Sequence, residues 1–316
     1  MGRVKAAARN IIFGYIGNLT TQLLGFVLRT IFIRHLGQTL NGVNALYTGI
    51  LSVLSMAELG IGTALNYSLY KPVIHKDYEK IKSYMLLYKK AYRIIGFVVA
   101  GIGLVIVPFL PYLVKQPEGV TLRDLTLYYL IFLFNTVSSY FVAYKYSLVN
   151  AEQKNYIQTN IITVTKMITV MLQIIVILTT GNFYAYLLTA ATVELLQKIF
   201  VSRYLNNMYP YLKQNDIKPL TKEEVREVIK KTKALVLHKV GDVARLQTDA
   251  MIISGFINVT LSGIVDNYNL VISSVSNFVN IIFNSVLSSF GNLIATESRQ
   301  KQYEIFKVYR FFACWI

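Results

Sequence analysis

The sequence has little that a soluble enzyme or a disulfide-held domain would need. Its 316 residues include one cysteine (Cys314), three histidines, six prolines and only 15 % charged side chains. A single thiol excludes a disulfide scaffold, and so few histidines leave no zinc-finger spacing. Acidic groups are scarce as well: 16 Asp and Glu stand against 32 Lys and Arg, a net charge of +16. There is no G-x-G-x-x-G before a helix, no phosphate-binding G-x-x-x-x-G-K-[ST] and no H-E-x-x-H. Enzyme chemistry, bound cofactors and ATP-driven transport are therefore not expected.

Apolar side chains are abundant, at 54 % of residues with a mean hydropathy of +0.46. An ordinary soluble domain carries roughly 25 % charged residues. A chain this poor in charge has no core large enough for its hydrophobic side chains, so an apolar solvent must take them. Disorder, collagen and coiled coil fail on the same composition. In a soluble protein the positive charge would point to nucleic acid. Here the basic residues cluster between long uncharged runs, which fits basic loops facing anionic membrane lipids. The expected fold is all-α, a polytopic membrane protein.

A bilayer core of about 30 Å needs about 20 apolar helical residues. Suitable stretches are 10–34, 42–70, 94–114, 125–146, 157–179, 183–202, 234–257 and 264–292. Thr179-Thr180-Gly181-Asn182 divides two of them as a tight turn. A ninth span begins after Arg299 and is cut short at Ile316, which reads as truncation. Lys and Arg fill 1–9, 71–93, 145–156, 203–233 and 293–310, whereas the alternate loops hold only Lys115 and Arg123. The positive-inside rule then places the N-terminus in the cytoplasm, in a multi-pass cell-membrane protein. The first apolar run is too long for a signal peptide and lacks a small-residue cleavage site. Residues 71–93 read as a basic, Tyr-rich inner loop. A capping box, Thr221-x-x-Glu224, opens an amphipathic helix expected to lie on the inner leaflet or to connect two halves. The organisation expected is a six-helix lobe at 1–204, a cytoplasmic basic linker at 205–233 and the start of a second lobe at 234–316.

Ionisable groups inside spans are costly and mark functional candidates, with structural pairing between helices as the alternative. His238, Asp242, Arg245 and Asp249 fall on one helical face, lining either a wet cavity or a closed network. Gly14, Asn18, Gln22, Gly25 and Arg29 make a milder stripe on the first span; Arg34, near its end, can snorkel. The second carries Asn44, Thr48, Ser55, Glu58, Gly62 and Asn66. Its Glu58 is a proton carrier, an ion ligand or the partner of Arg29. Lys166, on the fifth span with Thr159, Thr163, Thr169 and Gln173, has no acid within a helical turn. Glu194 and Lys198 form an i, i+4 pair on the sixth. Ser273, Asn277, Asn280, Asn284 and Ser288 give the eighth a neutral polar face. Spans three and four look nearly featureless. Together these faces predict an inner cavity whose cations Arg29, Lys166 and Arg245 favour an anionic group such as phosphate.

Several stretches resemble the polysaccharide repeat-unit flippases of the multidrug/oligosaccharidyl-lipid/polysaccharide exporter superfamily. They are SMAELGIGTALNYSLYKPV (55–73) with the basic YKKAY that follows (88–92), LRTIFIRHLG (28–37), HKVGDVARLQTDAMIIS (238–254), VDNYNLV (265–271) and YRFFACWI (309–316). Ala250 and Asp266 depart from the pattern, which elsewhere has an amide and a small residue. The resemblance implies a two-lobed bundle like that of the multidrug exporters of this superfamily, its first six-helix lobe complete and its second incomplete. It implies movement of an undecaprenyl-pyrophosphate-linked oligosaccharide between leaflets for capsule or exopolysaccharide synthesis, beside a polysaccharide polymerase and glycosyltransferases. Arg29, Lys166 and Arg245 would meet the pyrophosphate or acidic sugars, with Asn18, Gln22, Asn277 and Asn280 lining the path. Glu58, Asp242 and Asp249 would couple ions or pair with the cations. The rival readings are a cation-coupled multidrug exporter, whose cavity would be dominated by acids, and a non-transporting scaffold of a glycan-assembly complex.

Overall fold

Short connectors with strong capping residues set the helix ends. The computed structural model describes the backbone of residues 3–58, 61–114, 120–152, 154–214, 217–296 and 298–314. Side chains are described over the same residues except 3–11, 56, 57, 63, 213, 231, 234–247, 278, 280–296, 312 and 313. The helices are α1 (Arg3–Leu54), α2 (Ile61–Ile74), α3 (Tyr78–Ile106), α4 (Leu110–Leu113), α5 (Leu122–Ala151), α6 (Asn155–Thr180), α7 (Phe183–Met208), α8 (Lys222–Ile252), α9 (Val259–Thr296) and α10 (Arg299–Ala313). Asp77 caps α3 by accepting from Lys80 N at 3.0 Å. Thr121 and Asp124 form a capping box at α5, and Thr221 and Glu224 form the expected one at α8. Between α6 and α7, Gly181 takes the left-handed conformation (φ 57°) and Asn182 accepts from the Tyr184 and Ala185 N–H groups. The predicted turn at 179–182 is therefore where the sequence puts it.

Five stretches are long and apolar enough to cross a membrane among the described residues: Ile12–Leu54, Tyr78–Leu113, Leu122–Ala151, Asn155–Thr180 and Phe183–Met208. Their outward faces are apolar, with Ile16, Leu23, Phe97, Val105, Ile168, Leu172 and Ile175 all exposed. In water those faces would be unstable; in lipid they are solvated. The interior holds two apolar clusters. One gathers Leu65, Leu69, Tyr84, Tyr88, Tyr92, Tyr140, Leu148 and Leu205, and the other Phe32, Leu46, Tyr47, Leu110, Leu125, Tyr129 and Phe183. Buried tyrosines bring their hydroxyls to partners: Tyr47 donates to Leu125 O (2.9 Å) and Tyr129 to Gly103 O (3.0 Å).

Within α1 two helices meet at Gly37 (φ 87°, ψ 164°), a conformation that glycine tolerates best, in the gap expected between 10–34 and 42–70. Three expectations need correction. The second span is itself broken, by a 3₁₀ turn at Ser55–Glu58 before α2, so its polar residues do not share one helical face. Residues 71–93 are not a loop. α2 runs to Ile74 and α3 starts at Tyr78, with Tyr84, Tyr88 and Tyr92 buried at four-residue spacing on α3. Finally, the amphipathic helix at Thr221 does not stop before the seventh span but continues into it as α8, which closes in a π-turn at Ile253–Ile257. Its Val228 is buried and its Glu224 carboxylate lies 2.5 Å from Lys80 Nζ, so its first turns pack on the bundle. Hydrogen bonds from Lys80 and the Thr221 N–H hold the Glu224 carboxyl below its usual range.

The chain divides into two compact units, 1–266 and 267–316. The second comprises the later part of α9 and α10, where the Lys307 amine sits 4.6 Å from the Tyr303 ring centre.

Candidate functional site

Arg29 lies on the first half of α1 and is reached by two other segments. Its guanidinium is 2.6 Å from the Asp266 carboxylate of α9 and also donates to the side-chain oxygen of Asn41. Asn41 is buried and donates onward to Gly263 O (2.9 Å). Thr39 and Thr260 hydroxyls meet at 3.1 Å. The two helices come this close because glycines face each other. A Cβ on Gly42 would lie 1.8 Å from Val259 O, and one on Gly263 would lie 2.6 Å from Gly42 N. The partner of Arg29 is therefore Asp266, not Glu58. Glu58 sits in the 3₁₀ turn, where the Tyr92 hydroxyl hydrogen-bonds to its carboxylate.

Lys166 of α6 finds its acid on another helix. With Thr165, Thr169, Glu194 and Gln197 it lines a cavity of about 260 Å³ between α6 and α7. Glu194 attracts the ammonium and Arg29 is close enough to repel it. Tyr186 of α7 also lies in the field of Arg29, and Gln173 of α6 donates to Tyr186 O at 3.3 Å. Arg29 and Lys166 thus belong to one neighbourhood, formed by α1, α6 and α7.

Lys198 is fully engaged. Its amine donates to Asn135 O (2.9 Å), Asn135 Oδ1 (2.7 Å) and Ser138 Oγ (2.9 Å), while Asn135 donates to Glu194 at 2.7 Å. The Glu194 and Lys198 charges stand 3.9 Å apart. This network ties α5 to α7 and leaves the remaining face of Glu194 to the Lys166 cavity. Asn135 and Ser138 lie in the fourth span, which the sequence reading treats as featureless. The polar run Asn135-Thr136-Val137-Ser138-Ser139 was the available signal.

The other candidates are dispersed. Asn18 is exposed and bonds back to Gly14 O (2.9 Å); Gln22 is half-buried; Asp249 is exposed on α8. Asn277 is exposed in the second unit. The side chains of His238, Asp242, Arg245 and Asn280 lie outside the described residues.

Replacing Lys198 by Met should destabilise the protein by about 2 kcal/mol or more, because several buried acceptors lose their donor together. Thermal unfolding in detergent is the measurement, with the exposed Lys230→Met unchanged as the reference.

No protein-family model and no curated protein matches the sequence. The fold does match solved structures. A MOP superfamily transporter from Pyrococcus furiosus, described as having a binding pocket of reverse polarity that suggests a different function, superposes with TM-score 0.60 at 14 % identity. That match covers 85 % of this chain and 60 % of the transporter. An inward-facing multidrug resistance MATE family transporter gives 0.53 at 14 % identity, over 78 % of this chain and 59 % of its own. A MATE in the straight conformation gives 0.51 at 17 % identity, over 81 % and 58 %. The chain is thus a multi-pass membrane protein with the fold of MOP superfamily transporters, spanning about 60 % of the length of those it matches.

Proposed function

We propose that the protein moves an undecaprenyl-pyrophosphate-linked oligosaccharide from the inner to the outer leaflet of the cytoplasmic membrane, in capsule or exopolysaccharide synthesis. The observation that carries the reading is the neighbourhood of Arg29 and Lys166 on α1 and α6, two cations whose described acidic neighbours are Asp266 and Glu194. A pyrophosphate has the charge and the acceptors to replace those carboxylates. Transporters of this fold include one described as having a pocket of reverse polarity, so pocket charge is a sensible discriminator of substrate. In this reading the N-terminus is cytoplasmic, 1–204 forms the first lobe and 234–316 opens the second. Partners would be a polysaccharide polymerase and glycosyltransferases.

The reading is tested in proteoliposomes carrying a fluorescent lipid-pyrophosphate oligosaccharide. Translocation should fall at least tenfold in Lys166→Ala and in Arg29→Ala while each variant keeps its folded yield. Unchanged rates in both would remove the proposal. A cation-coupled exporter is the second reading, favoured by the Glu58 carboxylate held by Tyr92 inside the bundle. It predicts instead that Glu58→Gln abolishes efflux of a cationic dye and that Lys166→Ala does not.

A further inference from the structure

Away from Arg29 and Lys166, three lysines converge at the end of the bundle where α3 begins and α5 and α7 finish. A cavity of about 430 Å³ lies between these helices and the 3₁₀ turn Pro210–Lys213 that follows α7. Lys82 and Lys89, seven residues apart on α3, and Lys145 of α5 all line it, with Asn206 and Gln214 as neutral polar neighbours. Lys82 is buried and committed, its amine 2.6 Å from Glu79 and 3.2 Å from Gln214 Oε1. Lys145 spends its donors on uncharged acceptors: Ser202 O (3.2 Å), Ser202 Oγ (2.7 Å) and Asn206 Oδ1 (2.8 Å). Lys89 has no hydrogen bond or ion pair among the described residues, yet it stands close enough to Lys145 to repel it.

Two like charges held together without a described acid between them form a site that an anion completes. Lys89 brings free donors; Lys145 brings fixed charge. Met85, Leu86, Leu205, Leu212 and Ile217 give the wall its aliphatic part, beside Tyr144 and Tyr209. A free phosphate gains nothing from the aliphatic side chains, whereas the glycerol and first methylenes of a lipid do. The 30 residues of α5 extend about 45 Å, well past a hydrocarbon core of about 30 Å, so its final turns reach the headgroup layer. Basic pockets between transmembrane helices at that depth suit anionic headgroups.

We propose that this pocket binds the phosphate group of an anionic lipid, with Lys89 as its principal ligand. The test is native mass spectrometry of the delipidated protein titrated with phosphatidylglycerol, phosphatidylethanolamine, undecaprenyl pyrophosphate or inorganic phosphate. Phosphatidylglycerol should bind at least tenfold more tightly than phosphatidylethanolamine. Lys89→Glu should erase that preference, and Lys90→Glu, on the exposed side of α3, should keep it. Lys89→Gln, which breaks no contact among the described residues, should weaken binding about threefold and so guards against a folding artefact. Undecaprenyl pyrophosphate competing at the same site, with the same sensitivity to Lys89→Glu, would also support the proposal and name the substrate lipid as the source. Equal binding of the two phospholipids, equal effects at positions 89 and 90, or displacement by millimolar inorganic phosphate would overturn it. Because the readout is binding and not translocation, it stands or falls separately from the proposed function.

Discussion

A single methyl group at position 42 should part α1 from α9. In Gly42→Ala the new Cβ would sit 1.8 Å from the Val259 carbonyl oxygen, where ordinary contact begins at 3.4 Å. That oxygen belongs to backbone and cannot rotate away, so the helices must separate by more than an ångström. Overpacking of this kind costs about 1–3 kcal/mol where side chains can adjust, and more against a rigid backbone. The separation can be read directly. With Cys314 replaced by Ser, cysteines at Thr39 and Thr260, whose hydroxyls are 3.1 Å apart, should form a disulfide on mild oxidation. Adding Gly42→Ala should reduce that cross-link at least tenfold. Gly101→Ala, where nothing lies within 4 Å, should leave it intact. Equal cross-linking in both variants would show that the helices do not meet as described.

The second large effect concerns the charge pair beside that crossing. Asp266→Asn removes the carboxylate 2.6 Å from Arg29 and leaves the guanidinium with its hydrogen bond to Asn41. Breaking a fully buried pair costs about 3–5 kcal/mol. With side chains 21 % and 31 % exposed, solvent screening brings the expected loss here to about 1–3 kcal/mol. The exchanged pair, Arg29→Asp with Asp266→Arg, should recover part of that stability in a double-mutant cycle. If Arg29 exchanges Asp266 for a pyrophosphate during translocation, Asp266→Asn should also bind the lipid pyrophosphate more tightly. Lower stability with tighter substrate binding separates that role from a purely structural pair, which would lower both.

Local features were readable from the sequence because their causes are local. The turn at 179–182 shows in its Gly and Asn, and the start of α8 in Thr221 and Glu224 three residues later. The apolar runs marked the long helices because a bilayer demands length, whatever the partner helices, and five stretches among the described residues meet that length. Long-range features left no such trace. Asp266 stood out only as an unusual residue at the start of the eighth span, and nothing periodic links it to Arg29. Glu58 offered itself as the partner of Arg29, but the break at Ser55–Glu58 turns it toward Tyr92 instead. The buried stripe of Tyr84, Tyr88 and Tyr92 read as loop because Lys80, Lys82, Lys89 and Lys90 surround it. Those lysines sit on the other faces of α3 or, like Lys82, are buried with a partner. The pocket lysine Lys145 read as loop charge because α5 continues beyond the apolar stretch that identified it.

The central claim is that Arg29, Lys166 and Glu194 face a wet interior and not lipid. Its most direct test uses the scarcity of thiols in this chain. In a Cys314→Ser background, a cysteine at Lys166 borders the cavity with Glu194, and a cysteine at Ile168 lies on the exposed apolar face of α6. A charged, membrane-impermeant thiol reagent should modify position 166 in proteoliposomes and leave position 168 untouched, with lipid pyrophosphate protecting 166. Silence at 166 with modification at 168 would place the lysine in a closed or lipid-facing environment and contradict the account.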